Sequence, residues 1–331
     1  MKTTIKNFME LTRMWSVQLS IAPFVVALLW ALGYGVSKFN VILAFVAVIC
    51  LHLGGNLLDD IIDVCQKLKQ GIKLNEICFC DDKNKARLLI DGTVSIKKAI
   101  VVNSILFLIP ILCGIYFYLI LGAPILFYAL IGAILILLYP ISSKFYMAEI
   151  FIGILFSIIL PKAVYFVLTG NQSLNLSHFS VSMFLLMVAV LHTHSITDWE
   201  HDEKCGKNTL ARLFKTKRNA IRALGWMIFG AYLNLAILIS IYFLPGSMIM
   251  AFITTPIAVE LVQSLKKYIA LDNSDLTPRW WMGVMENWEE IKKQNAQYFM
   301  YRFYLARNLC VYFYIISALA YAISNYYTLG Q

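Results

Sequence analysis

Nine long apolar stretches are the feature that most constrains this chain. A helix needs about 20 apolar residues to cross the hydrocarbon core of a bilayer. Stretches of roughly that length cover residues 15–35, 38–58, 98–121, 124–141, 147–168, 180–197, 222–244, 247–265 and 303–325. Hydrophobic residues make up 60% of the chain and charged residues only 14%, which is more apolar than a soluble domain can bury. We therefore predict an all-α polytopic membrane protein with nine transmembrane helices, forming one domain over residues 1–331.

The positions of Lys and Arg predict how the chain is oriented. They are concentrated in the loops that follow the even-numbered stretches, whereas Lys38 is the only basic residue in the loops on the other side. Because cytoplasmic loops carry the excess of basic residues, the N-terminus is predicted inside and the C-terminus outside a cell membrane. The net charge of +9 then reflects topology, so we expect membrane lipid and no nucleic acid as a partner.

An acidic cluster ends the second apolar stretch, in the sequence Asn56-Leu-Leu-Asp59-Asp60-Ile-Ile-Asp63. On a helix, spacings of three and four residues place all three carboxylates on one face. Such carboxylates are costly beside lipid and repel one another. A divalent cation relieves that repulsion, and Mg²⁺ suits a few carboxylates together with waters and substrate phosphates. The cluster therefore predicts a metal-binding function rather than a helix end that only marks the membrane interface.

A second acidic cluster follows the sixth stretch. Asp198 and Asp202 are four residues apart, and Lys207 comes soon after them. Two acids that hold a metal and a Lys that binds a phosphate oxygen are typical of a diphosphate site. We expect the neighbouring histidines to make local hydrogen bonds rather than to bind metal. These are His192, His194 and His201.

Together, these residues resemble the UbiA family of intramembrane prenyltransferases. Asn56, Asp60 and Asp63 match its first motif in the NLxNDxxD form of the menaquinone-pathway branch, with Asp59 where Asn is usual. The stretch from Asp198 to Ala211 matches the second motif, including its GKxTLA tail. The lesser matches are Arg13 and Trp15 at the start of helix one, Arg87 and 92–95 in a loop, and Tyr139 and Lys144 after helix four. The resemblance extends to about residue 240 and implies nine helices around a central cavity.

The resemblance also implies a reaction and roles for the residues. An isoprenyl group would pass from a prenyl diphosphate to a small aromatic or quinone-precursor acceptor, with Mg²⁺ as cofactor and release of pyrophosphate on the cytoplasmic side. The catalytic, metal-holding acids would be Asp60, Asp63, Asp198 and Asp202. The diphosphate-binding residues would be Asn56, Asp59, Arg87, Tyr139, Lys144 and Lys207. Aromatic rings would stabilise the allylic cation, with Tyr139, Phe145 and Tyr146 as candidates.

Two other functions remain open at this point. An intramembrane terpene cyclase would use the same diphosphate site without an acceptor and would release a hydrocarbon or an alcohol. A transporter would carry flux without forming pyrophosphate, but its charges would lie at the membrane midplane rather than at one face. Lys162, deep in the fifth stretch, is expected either to bind an acceptor carboxylate or to form an ion pair with Glu149 or an Asp.

Overall fold

The computed structural model describes residues 2–74, 86–142, 145–204, 207–270 and 276–329. These ranges are helical and contain no β-strand, which confirms the predicted all-α class. The α-helices are α1 Lys2–Leu11, α2 Gln18–Trp30, α3 Lys38–Lys69, α4 Arg87–Ile90, α5 Ile96–Leu121, α6 Pro124–Ser142, α7 Ala148–Ile154, α8 Leu160–Thr169, α9 Leu174–Thr197, α10 Trp199–Lys204, α11 Leu210–Leu213, α12 Lys217–Ser240, α13 Thr255–Ile269, α14 Trp288–Lys293 and α15 Gln297–Leu329.

Several of these helices are long and apolar enough to cross a membrane, so the chain has the character of a multi-pass membrane protein. Within the described ranges there are seven: Lys38–Lys69, Ile96–Leu121, Ala148–Thr169, Leu174–Thr197, Lys217–Ser240, Gly246–Ile269 and Gln297–Asn325. Two further apolar helices, Gln18–Trp30 and Pro124–Tyr139, are shorter. All nine predicted stretches are therefore helical, but the count of nine spans stays a prediction.

The fifth span is interrupted by a π-helical segment, Leu155–Ile159, between α7 and α8. Pro161 follows at the start of α8, where the missing N–H of proline changes the local hydrogen-bond pattern. Ser157 of this segment bonds to the Tyr314 hydroxyl of α15 at 3.1 Å, and Phe156 lies 5.5 Å from the His52 ring of α3. Segments of π-helix occur frequently at functional sites. Here the interruption directs side chains of one span towards two separate helices.

Helix α9 lies at the centre of the bundle. Its neighbour α7 approaches closely at Gly153, where an added Cβ would meet Val188 of α9 at 2.6 Å. Small residues permit such close helix packing in membranes. On another face, the Ser182 hydroxyl donates to the Ala231 carbonyl of α12 at 2.8 Å. The helix that precedes the second acidic cluster is thus fixed on two sides.

Contacts at the helix ends define the direction of the bundle. Trp30, at the end of α2, stacks between Phe179 near the start of α9 and Tyr321 late in α15, with ring centroids 5.2 and 3.9 Å away. The end of α2 therefore lies beside the start of α9. It follows that the start of α2 and the end of α9 face the opposite end of the bundle.

The connection between α13 and α15 folds back onto α15. Arg307 of α15 donates to the Glu286 carboxylate at 2.8 Å and to the Val284 carbonyl at 2.9 Å. Asn308 donates to the carbonyls of Met282 and Val284 at 2.9 and 3.0 Å. Because side chains of α15 satisfy these carbonyls, an irregular segment can lie against a membrane helix. The described part of this connection, which contains Trp280, Trp281 and Trp288, is thus an ordered element of the bundle.

Candidate active site

The first acidic cluster lies within α3 rather than at its end. The helix continues past the predicted end of the apolar stretch to Lys69, because no Pro or Gly follows the cluster until Gly71. Asp60 is only 3% exposed, whereas Asn56, Asp59 and Asp63 are half-buried. Lys67 and Lys69 in the last turn complement the helix dipole. The carboxylates therefore stand on a regular helical surface, as their spacing predicted.

Arg13 neutralises this cluster from the N-terminal segment. Its guanidinium hydrogen-bonds the Asp60 carboxylate and lies 3.5 Å from that of Asp59. Arg13 adopts a left-handed conformation, with φ of 49°, between α1 and the 3₁₀ turn Met14–Ser16. A non-glycine residue rarely adopts that conformation without a compensating contact. The charge-assisted bond to a buried carboxylate supplies such a contact.

Asn56 is bound to the same segment. Its amide donates to the Thr12 carbonyl at 3.2 Å and to the Ser16 hydroxyl at 3.0 Å. The Ser16 and Ser20 hydroxyls also bond the two ring nitrogens of His52, at 2.8 and 2.6 Å. A polar strip of α3 is thereby joined to the start of α2.

Arg87, the predicted diphosphate-binding arginine, is paired with Glu10 of α1. Both Nη2 and Nε of Arg87 contact the same Glu10 oxygen, at 2.6 and 2.8 Å. The Arg87 side chain is 50% exposed. Arg87 and Asp60 line one small crevice, which brings together two of the predicted site residues. The lining is Glu10, Leu11, Asp60, Ala86, Arg87 and Leu88.

The second acidic cluster forms a tight turn of helix. Helix α9 ends at Thr197, Asp198 caps it, and the Asp202 amide donates to the Asp198 carbonyl at 2.8 Å. The Lys207 amide then donates to the Asp202 carbonyl at 2.8 Å. Asp202 is 4% exposed and Lys207 is exposed. The two acids therefore remain one helical turn apart, although α9 ends and α10 begins between them. Cys205 and Gly206 lie outside the described residues.

His194 orients the first acid of this cluster. Its Nδ1 donates to the Asp198 carboxylate at 2.8 Å, and its ring packs edge-on against Phe299 and Phe303 of α15. His192 instead bonds the Ala220 carbonyl at 2.9 Å. The expectation of a local hydrogen bond is thus met by His194, which bonds directly to a predicted metal ligand, whereas His192 bonds a carbonyl 28 positions later in the chain.

The remaining residues named from the sequence are Tyr139, Lys144, Phe145 and Lys162. Tyr139 is half-buried close to the end of α6, and Lys144 lies outside the described residues. Phe145 is 68% exposed, which does not suit a wall around a cation. Within the described ranges, no ion pair joins Lys162 to Glu149 or to an Asp. Among the described residues Lys162 therefore lacks the expected acidic partner, and its role in acceptor binding is untested.

The two acidic clusters lie at the same end of the bundle. Arg13, which binds Asp60 of the first cluster, lies shortly before α2 in the chain. Gln18, the first residue of α2, donates from its side-chain amide to the Glu286 carboxylate at 3.4 Å. Glu286 is bound to Arg307 on the first half of α15. Phe303, one turn earlier on α15, packs against His194, which holds Asp198 of the second cluster. Asp60 and Asp198, which are 138 positions apart in sequence, are thus linked through a short series of contacts.

The donors in both clusters are carboxylate oxygens, which fits Mg²⁺. Within the described part of the chain, no three His, Cys, Asp or Glu side chains stand close enough to hold an ion by themselves. Mg²⁺ is usually bound through one or two carboxylates, with waters and substrate phosphates completing an octahedron. The predicted metal-holding acids match that number, with Asp60 and Asp63 in the first cluster and Asp198 and Asp202 in the second. The residues therefore fit a metal that arrives with a diphosphate.

Three residues that contact the clusters were not predicted as site residues. Glu10 binds Arg87, and His194 binds Asp198. Glu149 accepts hydrogen bonds from residues on both sides of the second cluster. The i,i+4 spacing of His194 and Asp198 was a signal in the sequence. Glu10 and Glu149 gave none, because their partners are 77 and 61 residues away.

Comparisons with known proteins identify the family and the fold of the chain. Residues 20–284, most of the chain, match the family model described as the UbiA prenyltransferase family. No curated protein matches the sequence.

Solved structures of similar fold cover nearly the whole chain. A digeranylgeranylglyceryl phosphate synthase is 15% identical with a TM-score of 0.60, over 95% of this chain and 98% of its own. An apo UbiA homologue from Aeropyrum pernix K1 is 16% identical with a TM-score of 0.56, over 90% and 95%. A UbiA homologue from Archaeoglobus fulgidus, bound to GPP and Mg²⁺, is 13% identical with a TM-score of 0.56, over 92% and 98%. The chain therefore belongs to the UbiA prenyltransferase family and is a prenyltransferase.

Proposed function

We propose that this protein transfers an isoprenyl group from a prenyl diphosphate to a small aromatic or quinone-precursor acceptor and depends on Mg²⁺. Dihydroxynaphthoate, the acceptor of the menaquinone branch that the first motif resembles, is the best single candidate. The observation that carries the proposal is the shared position of two acidic clusters at one end of the bundle. The reaction would take place on the cytoplasmic side, as the distribution of Lys and Arg predicts.

In this proposal, the two clusters bind the diphosphate from two sides. Asp60 and Asp63 on α3, and Asp198 and Asp202 after α9, hold the metal. When bound, Mg²⁺ would neutralise the diphosphate and stabilise the charge that develops on the leaving pyrophosphate. A pair of acids on each side leaves coordination positions for phosphate oxygens.

Basic and polar side chains complete the grip on the diphosphate. Arg87, Lys144 and Lys207 would bind phosphate oxygens, with Asn56, Asp59 and Tyr139 as further polar contacts. Positive charge aimed at the leaving group is worth far more in a site that excludes water. Arg87 would have to exchange Glu10 for the diphosphate, and Asp60 would have to exchange Arg13 for the metal.

The covalent step follows from this binding. The bond between C1 of the prenyl chain and its oxygen breaks, and pyrophosphate leaves with the electron pair. A carbon of the electron-rich acceptor ring then bonds to C1, and a proton leaves the ring. The allylic cation must be kept from water in the meantime, and aromatic faces stabilise it. Tyr139 and Tyr146 are the remaining aromatic candidates for that role.

The test supplies membranes containing the protein with prenyl diphosphates of increasing length and a panel of aromatic and lipid-phosphate acceptors. We expect Mg²⁺-dependent release of pyrophosphate and an acceptor whose mass increases by one prenyl group. Asp60→Ala and Asp198→Ala should each lower turnover by about 100-fold or more. The control is Glu289→Gln, on an exposed face of α14.

Each outcome distinguishes among the candidate functions. Normal turnover in either Asp variant contradicts the proposed site. A prenyl hydrocarbon or alcohol formed without any acceptor indicates a cyclase. Solute flux without pyrophosphate indicates a transporter.

A further inference from the structure

Glu149 is a buried carboxylate in the first turn of α7. It is 5% exposed, and its Oε1 accepts hydrogen bonds from the Ser195 hydroxyl at 2.7 Å and from the Leu210 amide at 2.9 Å. Its second oxygen, Oε2, is buried without a hydrogen-bond partner among the described residues. A buried carboxylate with one unsatisfied oxygen is expensive. Stability alone does not account for it, because a smaller neutral acceptor would satisfy the same two donors.

The two donors flank the second acidic cluster. Ser195 precedes Asp198 by three residues, and Leu210 follows Lys207 by three. One oxygen of Glu149 therefore binds both ends of the stretch that carries the predicted acids and the predicted lysine. The backbone bonds from Asp198 to Asp202 to Lys207 lie between these two anchor points.

Helix packing brings Glu149 to this position. Gly153, one turn later on α7, allows the close approach to Val188 of α9 described above. That contact fixes α7 against α9, and the carboxylate then reaches the last turn of α9. Since Lys162 does not pair with Glu149, the carboxylate makes its described hydrogen bonds only to the two ends of the cluster.

We propose that Glu149 is a positioning residue for the diphosphate site: by binding Ser195 and Leu210 it holds Asp198, Asp202 and Lys207 in the geometry that grips the metal-bound diphosphate. This inference rests on the proposed function. Glu149 itself does not contact the substrate in this proposal. Removal of Glu149 therefore affects binding of the diphosphate end and spares binding of the acceptor.

The experiment compares Glu149→Ala, Glu149→Gln and Ser195→Ala with the wild type. A matched control is Glu260→Ala. Glu260 lies on α13, and its carboxylate accepts a hydrogen bond from the Tyr301 hydroxyl at 3.0 Å. Glu149→Ala should raise the KM for prenyl diphosphate about 10- to 100-fold while the KM for the acceptor stays unchanged. Glu149→Gln keeps an acceptor oxygen and should restore most of the affinity. Ser195→Ala removes one donor and should give a rise of a few fold.

Two readouts do not depend on turnover. Calorimetric titration with Mg²⁺ and inorganic pyrophosphate should show weaker binding in Glu149→Ala by a similar factor. Trypsin should cleave faster after Lys207 in that variant, since the stretch has lost its anchor. Both effects should be small in Glu149→Gln and absent in Glu260→Ala.

The outcomes separate this inference from the proposed function. If the wild type binds no Mg²⁺–pyrophosphate, the proposed function fails. If the wild type binds it and Glu149→Ala binds it equally well, the positioning role alone is overturned. Equal losses in Glu149→Ala and Glu260→Ala, or equal changes in both KM values, also overturn it. Should Glu149→Ala fail to fold, Ser195→Ala and Glu149→Gln decide, and an unchanged KM in Ser195→Ala contradicts the proposal.

Discussion

The two acidic clusters are held in different ways. On α3, the buried Asp60 is neutralised by Arg13, a cation from the N-terminal segment 47 residues earlier in the chain. After α9, Asp198 is held by His194 four residues before it, and the stretch around it is fixed by Glu149. The first cluster is therefore bound by a group that must leave before a metal can replace it. The second already has its surroundings in place.

This difference suggests a division of labour between the clusters. The Glu10 carboxylate binds Arg87, where the proposed function places a diphosphate oxygen. The Arg13 guanidinium binds Asp60, where the proposed function places the metal. The N-terminal segment thus satisfies both charges. Binding at the first cluster should then include an exchange of partners, whereas binding at the second should need little rearrangement.

Among the groups that hold the two clusters, the largest effect is expected for His194 at the second cluster. His194→Ala removes the donor that orients Asp198, so we expect activity to fall about 10- to 100-fold, as for other residues that support a metal ligand. His178→Ala is the control, because its ring contacts Phe243 near the other end of the bundle. Steady-state kinetics measure both variants. Similar activity in the two would mean that the second cluster does not depend on its local support.

The next effect concerns the exchangeable partner of Asp60. Arg13→Ala leaves a buried carboxylate without its charged donor, so the free energy of unfolding should fall by about 2 kcal/mol in EDTA. Added Mg²⁺ should recover part of that loss, because the cation can replace the guanidinium. Thermal unfolding in detergent measures the change, with Lys292→Ala of an exposed ion pair as control. A loss that is identical with and without Mg²⁺ argues against a metal at Asp60.

A smaller effect follows from the Glu10–Arg87 pair. Glu10→Gln releases a half-exposed Arg87 from an ion pair worth about 0.2–1 kcal/mol, so the affinity for Mg²⁺–pyrophosphate should rise up to about fivefold. Calorimetry measures the affinity, and Glu289→Gln serves as the control. If the affinity stays the same or falls, Glu10 does not compete with the diphosphate.

The smallest effect is a pH dependence of stability that arises from carboxylates paired with basic residues. Burial alone would raise the pKa of Glu286 above 4.5, but the hydrogen bond and charge of Arg307 outweigh it, so the pKa is lowered. Glu200 shows the same balance, with Lys217 as its partner. A lowered folded-state pKa stabilises the protein above the unfolded pKa, and this contribution is lost as the pH falls below about 4.5. Glu286→Gln should reduce the change in the free energy of unfolding between pH 6 and pH 3.5 by less than about 1 kcal/mol. If the pH dependence of the free energy of unfolding is unchanged, this ion pair does not couple stability to pH.

Much of the site was predictable because it depends on local spacing. The three- and four-residue intervals of the acids survive in α3 and across the junction of α9 and α10. The all-α class followed from the apolar stretches. Their ends were less predictable: α3 continues eleven residues beyond residue 58, because no Pro or Gly interrupts it before Gly71.

The remaining features depend on tertiary packing that no local pattern records. Glu149 was considered as a partner of Lys162 on the same span, but the approach of α7 to α9 at Gly153 gives it Ser195 and Leu210 instead. Arg13 was noted only for its resemblance to the start of helix one, and its bond to Asp60 follows from how the turn between α1 and α2 lies against α3. Contacts between residues tens of positions apart need the fold before they can be inferred.

The central claim is that two clusters on separate helices bind one Mg²⁺–diphosphate together. Calorimetric titration of a non-hydrolysable thiodiphosphate analogue of geranyl diphosphate, with Mg²⁺, tests it in wild type, Asp60→Ala, Asp198→Ala and the double variant. We predict that each single variant loses at least about tenfold in affinity, and that the double variant loses less than the product of the two losses because the sites are coupled. Wild-type affinity in either single variant would contradict the claim.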